Sequence, residues 1–433
     1  MNESIWLDNI EIPEFPKLNY EAKTEVLIIG GGIAGILTAY YLKNKGIDCI
    51  LAEKGRICHG TTAGTTAKIT AQHGLIYADI LKSDGKDKAE MYLKANLSAL
   101  ENYKRLCKDI DCDFELKDNY VYSQSDRSGL EKEIGALEKI GYKAELVDTP
   151  NLPLKTVGAV KFLNQAQFHP IKFIKEIVKD LKIFENTFVL EVDGKTVVTN
   201  CGKIKAENIV VATHFPFINT HGSYFLKLYQ HRSYALALKG AQKLDGMYVS
   251  DSKTGLSFRN YNDLMILIGG SHRTGKNGGS YNEIEQFARI HYPQSKIQYR
   301  WATQDCMSLD KKPYIGRYSK NTADMYVASG FNKWGITGAM VSAMILSDMI
   351  SGKTNEFQEV FSPSRSILKP QLAVNGFEAV TNILNPFGKR CPHMGCSLKW
   401  NKAERTWDCP CHGSRFTDDG KLLNNPANGN LKS

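Results

Sequence analysis

The sequence predicts a mixed α/β protein with a small, separate C-terminal domain. Three patterns indicate this fold class. The apolar run 24–29 enters a glycine-rich turn and then a helical segment, as a buried parallel strand does. Residues 223–305 alternate apolar and polar side chains, which is typical of an antiparallel sheet. Residues 389–433 contain two closely spaced groups of cysteine and histidine, which indicate a distinct unit at the end of the chain.

Length and composition limit the number of domains and the classes of partner that the protein can have. A chain of 433 residues is long enough for two or three domains. The net charge is +9, but the lysines are dispersed rather than clustered, so we expect no nucleic-acid partner. The N-terminus does not resemble a signal peptide. The most apolar late segment, 336–350, is too short and too polar to span a bilayer. We therefore expect a cytoplasmic protein without a membrane span.

The turn after the first strand has the spacing of a dinucleotide-binding site. Gly30 permits the tight turn, Gly32 lets the backbone approach a pyrophosphate, and Gly35 lets the helix pack against the strand. The free N–H groups of the helix N-terminus favour a phosphate. Glu53 ends the next apolar run, where a carboxylate accepts hydrogen bonds from ribose hydroxyls. The alternative is a simple tight βα turn, but the surrounding strand, helix and carboxylate favour a dinucleotide.

Later segments favour FAD over NAD as that dinucleotide. Residues 60–68 are small or hydroxylated and suit a cradle under a flavin. The strand 208–212 ends in a small residue and a threonine. The segment 325–338 forms a second strand-to-helix turn, whose helix N-terminus would stabilise negative charge on a flavin. The candidate FAD residues in these segments are Thr61, Thr62, Thr66, Ala212, Thr213, Gly335, Ile336 and Thr337.

Four side chains in the tail can ligate a metal. Cys391 and His393 form a Cys-x-His pair, and Cys409 and His412 form a Cys-x-x-His pair. Two thiolates and two imidazoles suit a [2Fe–2S] cluster in which histidines ligate one iron. Such ligation raises the reduction potential to between about −150 and +300 mV. The same four side chains also satisfy tetrahedral zinc, so zinc is the alternative at this point.

These motifs resemble the D-amino-acid-oxidase-like superfamily of FAD-dependent oxidoreductases over about residues 20–355. Together with the tail, the whole chain resembles a bacterial subfamily in which such an oxidoreductase is fused to a C-terminal Rieske [2Fe–2S] domain. The resemblance implies a Rossmann-type FAD-binding domain with an inserted antiparallel-sheet substrate domain, followed by a small all-β domain. It also implies a backbone contact from Val189 to the adenine, and it places Cys306 broadly where some relatives attach FAD covalently.

The resemblance also favours an iron–sulfur cluster over zinc. In Rieske domains of the high-potential kind, the positions of Cys396 and Cys411 form a disulfide that braces the two cluster loops, whereas a zinc site needs neither cysteine. A tyrosine that donates to a ligand sulfur in respiratory Rieske proteins is replaced here by Phe416. Losing a donor to sulfur favours the oxidised cluster. We therefore expect a potential below the respiratory range and above that of plant-type ferredoxins.

The domain boundaries predicted from these segments divide the chain into five parts. We expect an N-terminal arm at 1–20, an FAD-binding domain at 21–75, 156–215 and 311–355, a substrate domain at 76–155 and 216–310, a linker at 356–388, and a reduced Rieske domain at 389–433. Helical spacing in 76–150 predicts that this part of the substrate domain is a helical insertion.

The sequence therefore predicts an FAD-dependent oxidoreductase that dehydrogenates a small organic substrate, an amine or amino acid by resemblance, through hydride transfer to the flavin. Because there is no second dinucleotide motif, the electrons would leave singly through the cluster to an external carrier, a ferredoxin or a quinone-like molecule. Two alternatives stay open: a flavin and iron–sulfur redox sensor, and a flavin monooxygenase fed by an external reductase. The candidate catalytic or substrate-binding residues, each also compatible with a structural role, are His214, His231, Arg232, Arg259, His272 and Arg273.

Overall fold

The computed structural model describes residues 4–148, 150–252 and 255–432. After a short 3₁₀ helix at Ile5–Leu7, the helices are α1 (Ile33–Asn44), α2 (Tyr77–Asp84), α3 (Lys86–Cys107), α4 (Arg127–Lys139), α5 (Pro170–Ile177), α6 (Tyr224–Lys227), α7 (Tyr281–His291), α8 (Gly335–Ile350), α9 (Gln358–Phe361) and α10 (Pro370–Leu384).

The strands form three sheets. They are β1 (Ala22–Ile29), β2 (Cys49–Ala52), β3 (Lys68–Ile69), β4 (Glu115–Ser123), β5 (Glu145–Val147), β6 (Gly158–Gln167), β7 (Ile183–Phe184), β8 (Val189–Asp193), β9 (Thr196–Thr199), β10 (Gly202–Val211), β11 (Leu228–Lys239), β12 (Met247–Ser250), β13 (Ser257–Tyr261), β14 (Leu264–Arg273), β15 (Lys296–Ser308), β16 (Tyr314–Arg317), β17 (Met325–Ser329), β18 (Lys399–Asn401), β19 (Thr406–Asp408), β20 (Arg415–Phe416) and β21 (Leu422–Asn424).

The first sheet has the order β16-β17-β10-β1-β2-β7, with the hairpin β8–β9 paired to the start of β10. Its central strands are parallel, so the apolar run of β1 is covered on both faces. Val26 and Ile28 belong to the core that includes α1 and α8, whereas Leu27 and Ile29 face a second core. The carboxyl ends of β1, β2 and β10 therefore meet at one edge of the sheet.

The second sheet has the order β15-β11-β14-β13-β12-β4-β6-β3, and β5 pairs with β6. Most pairs are antiparallel, and β12 runs parallel to β4. The alternation in β11 separates two cores: Tyr234 and Leu236 pack towards α7, whereas Ala235 and Ala237 face the main core. The predicted antiparallel sheet over 223–305 is thus formed by β11 to β15, and the predicted mixed α/β class is confirmed.

The structure differs from the predicted division of the chain in two places and adds detail in a third. The strands β3 and β6, which the prediction placed in the FAD-binding domain, pair within the second sheet. The segment 76–150, predicted as helical, contains α2, α3 and α4 but also β4 and β5, because Tyr120 to Tyr122 complete the second sheet. The predicted linker 356–388 contains two helices, α9 and α10.

The C-terminal sheet contains β18 to β21 in sequential antiparallel order. Its small core includes Cys391, Leu398, Cys409 and Phe416. Because this core is small, the domain depends on contacts with the rest of the chain. Within the three described ranges, no helix is both long and apolar enough to cross a membrane.

Candidate functional site

A cavity of about 870 Å³ lies where the carboxyl ends of the first sheet meet the second sheet. Its walls come from the glycine turn, from β11 and β14, and from residues of the C-terminal domain around β21. This size and position suit an extended cofactor together with a small molecule. The predicted cofactor residues that line it are Gly30, Gly32, Glu53, Thr61, Thr62, Thr66, Val189, Ala212, Thr213, Gly335 and Ile336.

The glycines of the turn let the backbone pack more closely than side chains would allow. Gly30 has φ +113°, and a Cβ added to it would lie 2.6 Å from the carbonyl oxygen of Ala212. A Cβ on Gly35 would lie 2.0 Å from the carbonyl oxygen of Gly30, so this glycine serves the packing of α1 on β1 rather than the cavity wall. Gly32 is the N-cap residue of α1, and as a glycine it provides no side-chain cap to this helix. The N-terminus of α1 therefore opens directly into the cavity.

Glu53 stands immediately after β2, at the edge where the prediction expected a carboxylate. One oxygen accepts a hydrogen bond of 2.7 Å from the N–H of Gly31, and the other accepts one of 2.9 Å from Gly55. These two bonds fix the carboxylate beside the glycine turn. The Thr62 hydroxyl accepts from the N–H of Ile33 at 3.1 Å and holds the loop 60–68 against α1.

Thr337 does not line the cavity. Its hydroxyl accepts from the Thr70 N–H at 3.1 Å and donates to the Thr70 carbonyl at 3.0 Å. In contrast, Thr303 on β15 is a cavity-lining residue that the sequence did not identify. Its buried hydroxyl has no hydrogen-bond partner within the described part of the chain. A buried polar group normally has a partner, so this hydroxyl fits a polar atom of a bound molecule.

Two of the predicted catalytic histidines line the cavity. His214 lies between its two walls: its Nδ1 is 3.4 Å from the Thr61 hydroxyl, and its Nε2 is 3.1 Å from Oε1 of Gln230. Burial lowers the pKa of His214 to about 4, so the ring is neutral at neutral pH. His231 also lines the cavity, with its ring 5.3 Å from that of Tyr229.

The other predicted candidates have structural partners. The Arg232 guanidinium forms a bidentate ion pair with Glu404 of the C-terminal domain, which agrees with the structural role left open for this residue. Arg259 donates to the carbonyls of Thr66 and Ala67 at 2.7 and 2.8 Å. The guanidinium groups of both arginines therefore bond to other residues of the chain.

His272 and Arg273 also bond to backbone. His272 Nδ1 lies 3.1 Å from the Gly270 carbonyl, and its ring stacks on Tyr234. Arg273 lines the cavity, but its guanidinium donates to the carbonyls of Pro410 and Cys411 at 3.0 and 3.2 Å. It thus joins the cavity wall to the C-terminal domain.

Lys68, Asp305 and Lys333 are charged residues of the cavity wall that the sequence analysis did not identify. Burial and the nearby Arg259 lower the pKa of Lys68 to about 7. Asp305 lies in the same cavity and burial raises its pKa, whereas burial lowers the pKa of Lys333. Lys333 donates to the Ser271 hydroxyl at 2.7 Å. No spacing in the sequence links these residues, because they come from different strands and a helix entrance.

Cys306, the predicted position of covalent attachment in some relatives, also lines the cavity. Its Sγ lies 3.6 Å from the hydroxyl of Ser329. Burial raises the pKa of this thiol to about 12, which keeps it protonated at neutral pH. A protonated thiol is a poor nucleophile.

The two predicted ligand pairs meet at one end of the C-terminal domain. Each pair lies on a tight loop: Gly395 N–H donates to the Cys391 carbonyl, and Gly413 N–H donates to the Cys409 carbonyl, both at 2.9 Å. The Nδ1 atoms of His393 and His412 lie 3.3 Å apart. Two thiols and two imidazole nitrogens thus converge, and this donor set fits a [2Fe–2S] cluster with mixed ligation.

Cys396 and Cys411 form a disulfide between these two loops. The sulfur of Cys409 lies within 4.8 Å of both of them. Because the disulfide sulfurs are bonded to each other, they are not available as metal ligands, and the four predicted ligands are the free donors at this end of the domain.

The C-terminal domain docks on the cavity through buried polar contacts. Gln230 donates to the carbonyl of His412 at 2.7 Å, and Gln304 donates to the carbonyl of Gly413 at 2.9 Å. Asn425 donates to the carbonyls of Thr213 and Phe215, both at 2.7 Å. These contacts connect the cluster loops to strands that form the cavity wall.

Comparison with known proteins gives a consistent result. A family model described as FAD dependent oxidoreductase matches residues 25–349, and a model of the Rieske [2Fe-2S] domain matches residues 353–433. The Rieske 2Fe-2S iron-sulfur protein YhfW of Bacillus subtilis is 34% identical, and the match covers 99% of this chain and 97% of that protein. The gamma-glutamylputrescine oxidoreductase of Escherichia coli is 23% identical, over 79% of this chain and 87% of that protein. The L-proline dehydrogenase structure from P. horikoshii has a TM-score of 0.67 at 21% identity, covering 81% of this chain and 98% of that one, and shares its fold.

Proposed function

Because this chain belongs to the family of FAD-dependent oxidoreductases and ends in a Rieske domain, we propose that it oxidises a small amine or amino acid and passes the electrons singly to an external carrier. The oxidoreductase domain binds FAD, and the C-terminal domain binds a [2Fe–2S] cluster rather than zinc. The resemblance stated from the sequence is confirmed. The substrate, the carrier and the cytoplasmic location belong to the proposal.

The reaction would convert a C–N single bond into a C=N double bond. Bound FAD supplies a two-electron acceptor for the hydride, and the bound cluster supplies a one-electron relay. The substrate nitrogen loses one proton, and reoxidation of the flavin releases the hydride's hydrogen as a second proton. Two equivalents of a one-electron carrier would take up the two electrons while both protons go to solvent, whereas one quinone-like molecule would take up the two electrons and the two protons.

The observation that carries this proposal is the continuous polar contact between the two cofactor sites. The Thr61 hydroxyl in the FAD cradle lies beside His214, and His214 lies beside Gln230. Gln230 in turn donates to the carbonyl of His412, one of the proposed cluster ligands. An oxidase that transfers electrons directly to oxygen has no need of such a contact. It supports a relay from one cofactor to the other within the chain.

The charges in the cavity support an amino acid or amine as the substrate. Asp305 suits a substrate ammonium group, and Lys333 suits a carboxylate. The relatives agree with this chemistry, since one is named for an amine derivative and one for an amino acid. His231, also in the cavity wall, is a candidate for positioning the substrate.

The experiment is an anaerobic screen of amines, amino acids and hydroxy acids against the holoprotein. Flavin bleaching identifies a substrate, and electron paramagnetic resonance then measures whether the cluster becomes reduced. Asp305→Asn should raise the substrate concentration needed for half-maximal bleaching. Asp263→Asn, at an exposed ion pair with Lys239, is the matched control.

Two outcomes would contradict the proposal. Bleaching of the flavin with a cluster that stays oxidised would argue against an internal relay. Oxygen-dependent product formation driven by an external reductase, with no bleaching by any organic compound, would favour a monooxygenase instead.

A further inference from the structure

Helix α10 has its polar side inside and its apolar side outside. Asn375, Glu378 and Asn382 occupy one face at helical spacing and are buried. The opposite face carries no charge, and its side chains are exposed. An ordinary surface helix shows the reverse arrangement. We call the exposed side, with the turn that follows it, the apolar face; it consists of Val374, Phe377, Val380, Ile383, Leu384 and Phe387.

The apolar face concentrates the exposed apolar surface of the molecule. Of the sixteen exposed large hydrophobic side chains in the described ranges, eight lie between Leu368 and Met394. The exposed fraction is 68% for Phe377, 73% for Leu384 and 78% for Phe387. Scattered exposed hydrophobic residues need no explanation, but a contiguous patch marks a binding surface.

The inward contacts hold the apolar face in this orientation. Glu378 forms an ion pair of 2.6 Å with Lys276, and Asn375 accepts from Arg273 at 2.9 Å. The Asn382 carbonyl accepts from the N–H of Ser397, in the cluster domain, at 2.8 Å. Rotating the helix to bury its apolar side would break all three contacts, so its outward orientation is a property of the folded protein.

The sequence that contains and flanks the apolar face is rich in basic residues. Between Glu359 and Glu404 the sequence contains one acidic residue, Glu378, which is turned inward. The same stretch contains six basic residues, of which Arg365 pairs with Asp310. The remaining five are Lys369, Lys389, Arg390, Lys399 and Lys402.

We propose that the apolar face docks on the surface of an anionic lipid membrane. A helix of fifteen residues, about 22 Å long, would lie in the plane of the interface with its apolar side chains among the acyl chains and the flanking lysines at the headgroups. The rim of a protein–protein interface is polar and solvent-accessible. Basic residues that flank an amphipathic helix are instead typical of contact with anionic headgroups, and they favour anionic lipid over a protein carrier or a second copy of the chain.

Docking would orient both functional sites towards the membrane. Val374 belongs to the apolar face and also lines the cavity. Met394, beside the proposed ligand His393, is also exposed, and the hydrogen bond from Ser397 to Asn382 places the cluster domain beside α10. The cavity rim and the cluster loop would therefore both lie at the lipid surface. This inference goes beyond the proposed reaction and does not depend on the identity of its substrate.

The test is flotation of the holoprotein with vesicles of phosphatidylcholine alone or mixed with phosphatidylglycerol. We expect binding to the mixed vesicles, weaker binding to phosphatidylcholine, and weakening by added salt. The double variant Phe377→Gln, Leu384→Gln should lower the partition coefficient at least about tenfold. Lys369→Gln with Lys389→Gln should reduce binding to the mixed vesicles only.

The matched control is Leu163→Gln with Ile290→Gln, which removes two exposed apolar side chains elsewhere and should leave binding unchanged. Absorbance of the flavin and of the cluster shows whether each variant is folded. If the apolar variant loses its cofactors, the lysine variant still tests the same surface. The proposal is overturned if the wild type does not float. It is also overturned if both surface variants bind like the wild type, or if the wild type is a dimer that the apolar variant dissociates without any vesicle binding.

Discussion

The side-chain amide of Gln230 donates a hydrogen bond of 2.7 Å to the backbone carbonyl of His412, and so joins β11 directly to the second cluster loop. Its carbonyl oxygen faces His214 in the cavity wall. One buried side chain thus contacts both sites. Its position suggests several experiments on how the two domains depend on each other.

We expect Gln230→Leu to weaken this junction. The substitution leaves the carbonyl of His412 without its donor, which costs about 1–3 kcal/mol in a buried position. Reduction of the cluster after photoreduction of the flavin should become slower, because the contact between the sites is lost. Stopped-flow absorbance and thermal unfolding measure the two effects. Gln298→Leu, at an exposed position on β15, is the control, and equal transfer rates in the two variants would contradict the prediction.

A substitution at Gly275 tests how closely β14 and the turn after it pack against the second cluster loop. Its φ is +75°, and an added Cβ would lie 2.6 Å from the backbone nitrogen of Pro410. Gly352 also has φ +75°, but nothing lies within 4 Å of its Cβ position. Gly352→Ala should therefore cost only the left-handed backbone conformation, about 1–2 kcal/mol.

Gly275→Ala should cost clearly more than Gly352→Ala, because the loop backbone must move. It should also increase cleavage in limited proteolysis near the cluster loops. Denaturant unfolding of the holoprotein compares the two variants. Equal losses of stability would show that the close approach at Pro410 relaxes freely.

The ion pairs of Glu404 make the junction sensitive to acid. Burial raises the pKa of Glu404, but Arg232 and Arg415 outweigh this effect and lower it to about 2 from an ordinary value of 4.5. Because the folded pKa is the lower one, the stabilisation is complete above about pH 4.5 and disappears as the pH falls towards 2. Its size is on the order of 3 kcal/mol.

The difference in free energy of unfolding between the wild type and Glu404→Gln should therefore be large at pH 6 and shrink towards pH 3. Glu207→Gln, at an exposed ion pair with Lys195, should show little difference at either pH. If the difference in free energy of unfolding between the wild type and Glu404→Gln stays constant from pH 6 to pH 3, the carboxylate of Glu404 contributes no net stability through its charge.

Phe416 is expected to moderate the potential of the cluster. It is fully buried in the core that contains Cys391 and Cys409. Phe416→Tyr adds a hydroxyl donor there, which should raise the potential by about 20–60 mV, the equivalent of one net hydrogen bond. Redox titration followed by electron paramagnetic resonance measures the change, with Phe416→Leu as the control. A respiratory-range potential in the wild type would refute the underlying expectation.

The sequence predicted best those features whose chemistry is local. Gly35 is required by a contact with Gly30 inside one strand–turn–helix unit, and the spacing of the glycines indicates this. The cysteine and histidine pairs lie on two short loops, so their clustering is visible before folding. In such cases the side chains that act together are also close in sequence.

Features that depend on distant partners could not be predicted. Arg232 looked like a residue for a substrate carboxylate, but its partner Glu404 lies 172 positions away. Thr337 is bonded to Thr70 across a separation of 267 residues. The segment of α10 was predicted only as part of the linker 356–388, because only the folded structure shows which side of the helix faces the protein.

The five residues Leu423, Asn424, Asn425, Ala427 and Asn428 form part of the cavity wall, although they belong to the C-terminal domain. The two domains are therefore not interchangeable modules. Expressing the oxidoreductase part alone would leave its active cavity open on one side, and substituting another Rieske domain would alter the space available to the substrate. Under the proposed function, a change in this segment is expected to alter both the space for the substrate and the docking of the cluster domain, because Asn425 also bonds to Thr213 and Phe215.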